Sequence, residues 1–513
     1  MTTEIEAPVE AVNKADQRSL YAKRQAIRPL AVRGTFRRIK WIVMGLTLAV
    51  YYGTPWIRLD RGAGVPDQAV LLDIPARRFF FFWIEIWPQE IYFLTGLLVI
   101  AALALFLATA LLGRVWCGYA CPQTVWTDLF VQVERLFEGS RNAQIRLARA
   151  PWGPVKIFRK GGKHVAWLVI AMLTGGAWVF YFADAPNLLV SLVTLQAPSV
   201  AYITIAILTG TTYLLGGLAR EQVCIYMCPW PRIQGAMFDE DTLMVSYRAD
   251  RGEPRGAHKK GEAWDGRGHC IDCNNCVAAC PMGIDIRDGA QLECINCALC
   301  IDACDRIMDR VDLPRGLIGY DTFRLADARV AAKAASAPAA VRSAPTSGLS
   351  VPKAWGGGPM AYRLVRPRTI IYALALGLVC AVMTVALLSR TDMEVNLLRD
   401  RNPLYVTLAD GSFRNGYTLR LLNKARESRV FDLAIDGLQG SEIALATPGG
   451  RDLDSLVVGP DTVESYRVFV SAPRASLPDD GSAGIYFIVR ERSSGGAPAT
   501  TLRQGTSFNG PPG

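Results

Sequence analysis

Five stretches of the chain are apolar over roughly the ~20 residues that a helix needs to cross a hydrocarbon layer. They are Trp41 to Ile57, Ile91 to Leu112, Val165 to Phe182, Val200 to Leu218 and Ile370 to Leu388, and none contains Asp, Glu, Lys or Arg. Buried helices of a soluble protein would show a polar face at helical period, which these runs lack, so the pattern predicts about five transmembrane α-helices. Beyond Ser389 the pattern changes to alternation: Tyr417 to Leu422, Val430 to Ile435, Ser465 to Val470 and Ile485 to Val489, separated by Asp410-Gly411, Pro448-Gly449-Gly450 and Asp479-Asp480-Gly481. Short alternating segments punctuated by turn residues predict an antiparallel sandwich of immunoglobulin type, and this one has no cysteine to form a disulfide.

Basic residues orient the helices. Lys23, Arg24, Arg28, Arg33, Arg37, Arg38 and Lys40 precede the first run. Arg114, Arg135, Arg141, Arg146, Arg149, Lys156, Arg159, Lys160 and Lys163 lie between the second and third, while the turn from the third to the fourth has none. The positive-inside rule puts the N-terminus and residues 219–369 in the cytoplasm, and everything after Ser389 on the outer side of the membrane. The first run begins far from the N-terminus with no cleavage site after it, so it is expected to remain as an anchor.

This pattern divides the 513 residues into parts. The expected division is a cytoplasmic N-terminal tail (1–38), a four-helix membrane domain (39–219) and a cytoplasmic two-cluster ferredoxin-like domain (220–326). A flexible linker of Ala, Ser, Pro and Gly (327–368), a fifth transmembrane helix (369–389) and the periplasmic immunoglobulin-like domain (390–513) follow. The net charge of +10 is accounted for by basic flanks of membrane segments. No basic face interleaved with aromatic readers suggests a nucleic acid partner.

The cysteines carry the chemistry. Thirteen accompany only three histidines, His164, His258 and His269, too few for the axial pairs of membrane b-type haems. Cys270-x2-Cys273-x2-Cys276-x3-Cys280-Pro281 is followed by Cys294-x2-Cys297-x2-Cys300-x3-Cys304. In two-cluster ferredoxins the fourth cysteine of each run ligates the other cluster. Cys270, Cys273, Cys276 and Cys304 are therefore expected to hold one [4Fe-4S] cluster, and Cys294, Cys297, Cys300 and Cys280 the second. Paired zinc sites usually place a longer loop between their CxxC elements. Asp305 stands where a proline would close the second run, which leaves the chain's exit from that cluster open.

A second set is repeated. Cys117-Gly118-Tyr119-Ala120-Cys121-Pro122 and Cys224-Ile225-Tyr226-Met227-Cys228-Pro229 both read C-x-Y-x-C-P, at an offset of 107 residues and at the ends of the second and fourth apolar runs. Cysteines four apart share a helical face, so the repeat could gather four soft thiolates suited to Cu(I) or to thiol exchange. The proline after each second cysteine suits the start of a new interfacial helix, with Leu129, Val133, Leu136 and Phe137 as its apolar side. Cys380, inside the fifth run, is expected to pack. His269 reads as a solvated linker residue, and Glu85 and Glu90 as surface groups near headgroups.

This combination resembles the CcoG/FixG family, also called RdxA/RdxB, the cytochrome c oxidase accessory proteins of bacteria. The resemblance rests on Trp116 to Thr124, Cys270 to Cys304 and Gly316 to Tyr320, and covers about residues 35–500; the family usually carries arginine where this chain has Gly319. It implies an oxidoreductase that serves assembly of a cbb3-type oxidase, with electrons passing through two [4Fe-4S] clusters to reduce Cu(II), the substrate, to Cu(I). Cys117, Cys121, Cys224 and Cys228 become, on this resemblance, the catalytic candidates for copper binding or thiol redox. Expected partners are membrane lipid, a cytoplasmic electron donor, oxidase subunits or copper chaperones and transporters, and a second copy of the chain in a homodimer. Two other readings stay open: a polyferredoxin-like relay from quinol or a soluble donor, and a redox-sensing assembly scaffold. No G-x-G-x-x-G follows a predicted strand, so a soluble reductase or ferredoxin is expected to feed the clusters.

Overall fold

The computed structural model describes residues 11, 26–62, 65–258, 264, 266–336, 362–425, 427–446, 455–460, 462–492 and 501–512. It divides into two units, residues 1–383 and 384–513.

The first unit is mostly helical. Its helices are α1 (Thr35–Gly53), α2 (Ile91–Leu112), α3 (Pro122–Glu138), α4 (Arg141–Arg149), α5 (Pro154–Val179), α6 (Ala185–Val193), α7 (Ser199–Thr212), α8 (Trp230–Met237), α9 (Ala249–Gly252), α10 (Asn275–Ala279), α11 (Leu299–Arg310), α12 (Phe323–Ser336) and α13 (Pro367–Leu388), the last crossing into the second unit. Three helical stretches are long and apolar enough to cross a membrane: Pro88–Leu112, Ser199–Ala219 and Pro367–Leu388. The other two expected spans are helices as well, but each reaches back into its basic flank. α1 takes in Arg37, Arg38 and Lys40, and α5 takes in Lys156, Arg159, Lys160 and Lys163.

Two of those charges make buried ion pairs. Arg37 Nη1 donates to Asp128 of α3 at 2.9 Å, with both side chains buried. Lys163 lies 2.7 Å from Glu138 and 3.3 Å from Glu134, also on α3. Thus α3 is pinned to α1 and α5 through its acidic side. The packed face of α3 is Val125, Asp128, Phe130, Val131 and Glu134, whereas Leu136 is 80% exposed and Leu129, Val133 and Phe137 are half-buried. Of the apolar side expected from sequence, Leu136 alone is fully outward, while Val133 packs on Phe130 and Trp167.

Between α1 and α2 lie three antiparallel strands, β1 (Val70–Asp73), β2 (Arg78–Phe81) and β3 (Ile84–Ile86), paired Val70↔Phe81 and Phe79↔Ile86. Arg78 pairs with Glu85 at 3.4 Å. Glu90 is buried, its Oε2 accepting from the Trp87 backbone N–H at 3.2 Å at the mouth of α2, so it is a helix cap and not a surface group.

Two short strands, β4 (Met244–Tyr247) and β5 (Ile318–Asp321), bracket the cysteine runs and pair Met244↔Asp321. The stretch expected as linker begins as helix, since α12 continues to Ser336; residues 337–361 lie outside the described residues. Likewise only part of the expected 1–38 tail is described, and its end is docked: Leu30 N–H donates to Ala278 O at 2.7 Å, and Val32 is buried beside Met282 and Ile295.

The second unit is a two-sheet sandwich of β6 (Met393–Arg399), β7 (Val406–Thr407), β8 (Phe413–Asn423), β9 (Arg429–Asp436), β10 (Glu442–Leu445), β11 (Leu456–Val458), β12 (Thr462–Ala472), β13 (Ser482–Glu491) and β14 (Thr501–Asn509). One sheet runs β10-β12-β8-β6 with β7 on β8; the other runs β11-β9-β13-β14. Every pairing is antiparallel, including Tyr466↔Leu419 and Phe487↔Ile435. Alternate residues Tyr417, Leu419, Leu421, Val468, Val470, Phe487 and Val489 meet in the core.

Candidate iron-sulfur and thiol site

The two cysteine runs fold alike. Each turns through two left-handed residues that flank its middle cysteine: Asp272 and Asn274 in the first, Asn296 and Ala298 in the second, with φ between 52° and 59°. Asn and Asp tolerate this conformation and alanine does not, so its adoption at Ala298 marks a loop shape imposed by what surrounds it. Asn274 and Ala298 then start α10 and α11, which places Cys276 and Cys300 at equivalent positions in their helices.

The runs diverge at their ends. Pro281 follows Cys280, and α10 stops after Ala279. Asp305 imposes no break, so α11 continues through Cys304 to Arg310 while Asp305 Oδ1 accepts from Gly316 N–H at 2.9 Å. The open question of the chain's exit is thus answered by an uninterrupted helix.

The fourth cysteines cross over. One cavity, with about 350 Å³ of empty space, is lined by Cys270, Cys273, Cys276 and Cys304, together with Ile307, Met308 and Leu317. A second, with about 370 Å³, is lined by Cys280, Cys294, Cys297 and Cys300, with Cys276 on the shared wall and Met282, Ile284 and Ile295 around them. Burial drives these thiols upward: Cys276 and Cys280 to about 12, and Cys294 to about 11. Cys273, Cys300 and Cys304 are raised for the same reason, reinforced by neighbouring thiols. Buried, mutually repelling sulfurs favour a cationic iron core that replaces their protons. Among the described residues no group of three His, Cys, Asp or Glu side chains converges on a point that one metal ion could fill. Four cysteines around each cavity are the donor set that a [4Fe-4S] cluster takes.

The repeated cysteines come together next to the second cavity. Cys117 and Cys224 pack against Ile295, Met282 and Leu299 in the same apolar cluster as Cys280 and Cys294. The Cys224 thiol feels the charges of Cys121, Cys117 and Cys228, and Cys117 those of Cys121 and Cys228, so all four share one neighbourhood. Burial pushes Cys117 and Cys224 up to about 12, and the neighbouring thiols add to this. The local backbone is not the α-turn that four-residue spacing suggests. Trp116–Ala120 and Val223–Met227 are π-helical, closed by Cys121 N–H on Trp116 O and Cys228 N–H on Val223 O, each at 2.8 Å. Pro122 then opens α3, and Pro229 caps α8.

Three groups fasten the first repeat to the second run. The Tyr119 hydroxyl donates to Cys297 O at 3.2 Å. Arg114 reaches Cys294 O at 3.2 Å and Pro231 O at 2.6 Å, and also holds Leu292 O. At Gly118 an added Cβ would lie 2.6 Å from Ile295 O, so only glycine allows this close approach. Sequence reading missed Arg114 and Gly118; that both are adjacent or nearly adjacent to Cys117 was the available signal.

The remaining candidates lie outside this assembly. Cys380 is on α13. His164 Nδ1 bonds the Tyr213 hydroxyl at 2.8 Å, and His258 stacks on Trp264. His269 is not a solvated linker residue: Arg251 Nε donates to its Nδ1 at 2.8 Å, and burial followed by that guanidinium lowers its pKa.

Two quartets of cysteines lining separate cavities, apolar helices of membrane length and a separate β-sandwich define a membrane-associated iron-sulfur protein. Comparison with known proteins agrees. Residues 219–323 match the family described as "4Fe-4S dicluster domain", residues 94–139 the "4Fe-4S binding domain", and residues 383–511 the "IG-like fold at C-terminal of FixG". The chain is 51% identical to the nitrogen fixation protein FixG of Rhizobium meliloti over 496 residues, 94% of each chain. It is 52% identical to protein RdxB of Cereibacter sphaeroides over 459 residues, covering 89% of this chain and 91% of that one. Protein RdxA of the same organism is 51% identical over 463 residues, 90% of this chain and 92% of that one. A solved FixG-related protein from Vibrio parahaemolyticus aligns with 23% of this chain and 97% of its own, at 21% identity and a TM-score of 0.20. The chain belongs to the FixG/RdxA/RdxB family.

Proposed function

We propose that this protein is a membrane-bound electron carrier that serves assembly of a cbb3-type cytochrome c oxidase by reducing Cu(II) to Cu(I). In this reading Cys270, Cys273, Cys276 and Cys304 hold one [4Fe-4S] cluster and Cys294, Cys297, Cys300 and Cys280 the other. The clusters, when bound, supply the single electron that the reduction of Cu(II) consumes. Cys117, Cys121, Cys224 and Cys228 are where that electron leaves for copper. One observation carries the reading: the first cysteine of each repeat packs on the same apolar cluster, which includes Met282, Ile295 and Leu299, as do Cys280 and Cys294. Burial of this contact excludes water from the path, and Arg114 supplies fixed positive charge beside both.

The chain takes five spans in this proposal, with α1 and α5 crossing beside the three fully apolar helices. The N-terminus and the dicluster domain face the cytoplasm, and the sandwich faces the periplasm, where it docks assembly partners. A soluble ferredoxin or reductase is the donor. Anaerobic Cu(II) reduction by purified, chemically reduced protein tests the reading. The expected result is stoichiometric Cu(I), lost in Cys121→Ser plus Cys228→Ser; an unchanged rate in that variant removes copper from the site.

One observation favours a second reading, a relay fed by quinol. An apolar groove beside α1 and α2 is lined by Phe36, Val43, Leu105, Phe106, Trp116 and Tyr320, and it ends next to Tyr119. EPR-monitored cluster reduction by quinol would select it.

A further inference from the structure

The two C-x-Y-x-C-P segments are structural repeats in detail. Each opens on a residue with positive φ four positions before its first cysteine: Gly113 (φ 62°, ψ −126°) and Arg220 (φ 47°, ψ −114°). Each then makes one π-turn containing the first cysteine, returns to extended backbone at the second (ψ 129° at Cys121, 122° at Cys228), and meets proline. Non-glycine residues avoid such a conformation, and its retention at Arg220 shows that the surroundings impose the shape. π-Turns likewise concentrate at functional sites. Two half-sites of one design, each offering two sulfurs, share a single neighbourhood.

The chemistry of this set is that of the ferredoxin quartets. All four are free thiols. Cys117 and Cys224 are mostly enclosed, while Cys228 is exposed. Four cysteine thiolates around a [4Fe-4S] core carry a net negative charge, and the site has its counter-charge: the Arg114 guanidinium feels both Cys117 and Cys294 and is anchored between them. The match of residues 94–139 to a 4Fe-4S binding family includes only Cys117 and Cys121. Half a ligand set cannot close a cubane, and the fold supplies the missing half from Cys224 and Cys228.

We infer that Cys117, Cys121, Cys224 and Cys228 together hold a third [4Fe-4S] cluster, shared between the two repeats and seated against the wall of the Cys280/Cys294/Cys297/Cys300 site. On binding, the four thiols lose their protons and four iron–sulfur bonds form. The inference rests on the proposed function only in taking these cysteines as the electron exit; copper then meets the cluster's outer edge near Cys228 and is not ligated by the four sulfurs.

The test is iron and acid-labile sulfide content of the full chain, purified anaerobically in detergent and reconstituted with iron and sulfide, with spin integration of the fully reduced sample. About twelve irons per chain and three reducible clusters are expected, falling to about eight and two in Cys121→Ser plus Cys228→Ser, with the dicluster signals retained. About eight irons in the unaltered chain overturns the inference, as does copper bound in place of iron and lost in the same variant. If the variant does not accumulate, iron and spin content of the unaltered chain still decide. Copper reduction is read separately. About twelve irons without it sinks the copper reading alone, and about eight irons with it sinks the third cluster alone.

Discussion

The Tyr119 hydroxyl, carried on the first C-x-Y-x-C-P segment, donates to the backbone carbonyl of Cys297, the middle cysteine of the second ferredoxin run, at 3.2 Å. Both groups are buried, so removing the donor leaves a carbonyl with neither its partner nor water. Tyr119→Phe is expected to cost about 1–3 kcal/mol and to speed loss of iron from the adjacent site, followed as bleaching of the visible absorbance on heating. Unchanged bleaching would mean that the contact is incidental.

Arg114 bonds backbone carbonyls at both ends of its reach and lies beside Cys294 and Cys117. A fixed cation favours the reduced, more negative state of a neighbouring cluster. Arg114→Met should therefore lower the reduction potential by on the order of tens of millivolts, whereas Arg114→Lys should keep most of the potential while weakening the dock. An EPR-monitored redox titration of the three proteins separates charge from anchoring.

The crossing of the fourth cysteines predicts which substitutions share a phenotype. Cys304→Ser should perturb the same EPR signal as Cys273→Ser, and Cys280→Ser the same signal as Cys297→Ser. If Cys280→Ser instead grouped with Cys273→Ser, the ligand sets would follow the sequence and not the cavities.

Ala298 holds φ at 59°, a conformation costing an L-residue roughly 1–2 kcal/mol. Ala298→Gly should accordingly slow iron loss, by an amount corresponding to about 1 kcal/mol, and Ala298→Val should hasten it. The opposite order would show that the loop relaxes without its cluster.

The ion pairs on α3 set the acid limit. Burial works against the charge of Asp128, but Lys40 and Arg37 outweigh it and hold its pKa below the usual carboxylate range; for Glu134, Arg220 and Lys163 do the same. A depressed carboxylate stabilises the fold fully above its unfolded pKa and loses that contribution as pH falls through the folded value. Melting temperature in detergent should thus be flat from neutral pH down to about 4.5 and decline below it. Glu134→Gln should reduce the decline and lower the neutral plateau.

Much of this was legible in the chain. Apolar runs without charge fixed α2 and α13 almost to the residue, the same groups of four cysteines that the spacing suggested line the two cavities, and strict alternation placed β8, β12 and β13. Spacing alone could not show that Cys117 and Cys121 lie on a π-turn, because an extra residue in a turn is decided by what the backbone docks against. Nor could it show that Val133 turns inward onto Phe130 and Trp167 while Leu136 stays outside, since that rotation follows from buried pairs made by Asp128 and Glu134 with residues far away in sequence. Glu90 looked like a surface acid because a cap is recognised only once the helix start is known.

The two repeats differ in what holds them. Where the first has Gly113, an added Cβ would lie 2.5 Å from Leu243 O and 2.6 Å from Asn296 Nδ2, so that half is clamped to the dicluster domain. Where the second has Arg220, the guanidinium donates to Glu134 at 2.8 Å, and Glu134 in turn meets Lys163 of α5. The turn before Cys224 is therefore linked to α5 through Glu134 of α3, while Cys224 itself, like Cys117, packs on the apolar cluster of the dicluster domain. A displacement of α5 would reach the repeated thiols along one route, from Lys163 through Glu134 to Arg220, which makes that helix a mechanical lever on the turn that carries Cys224.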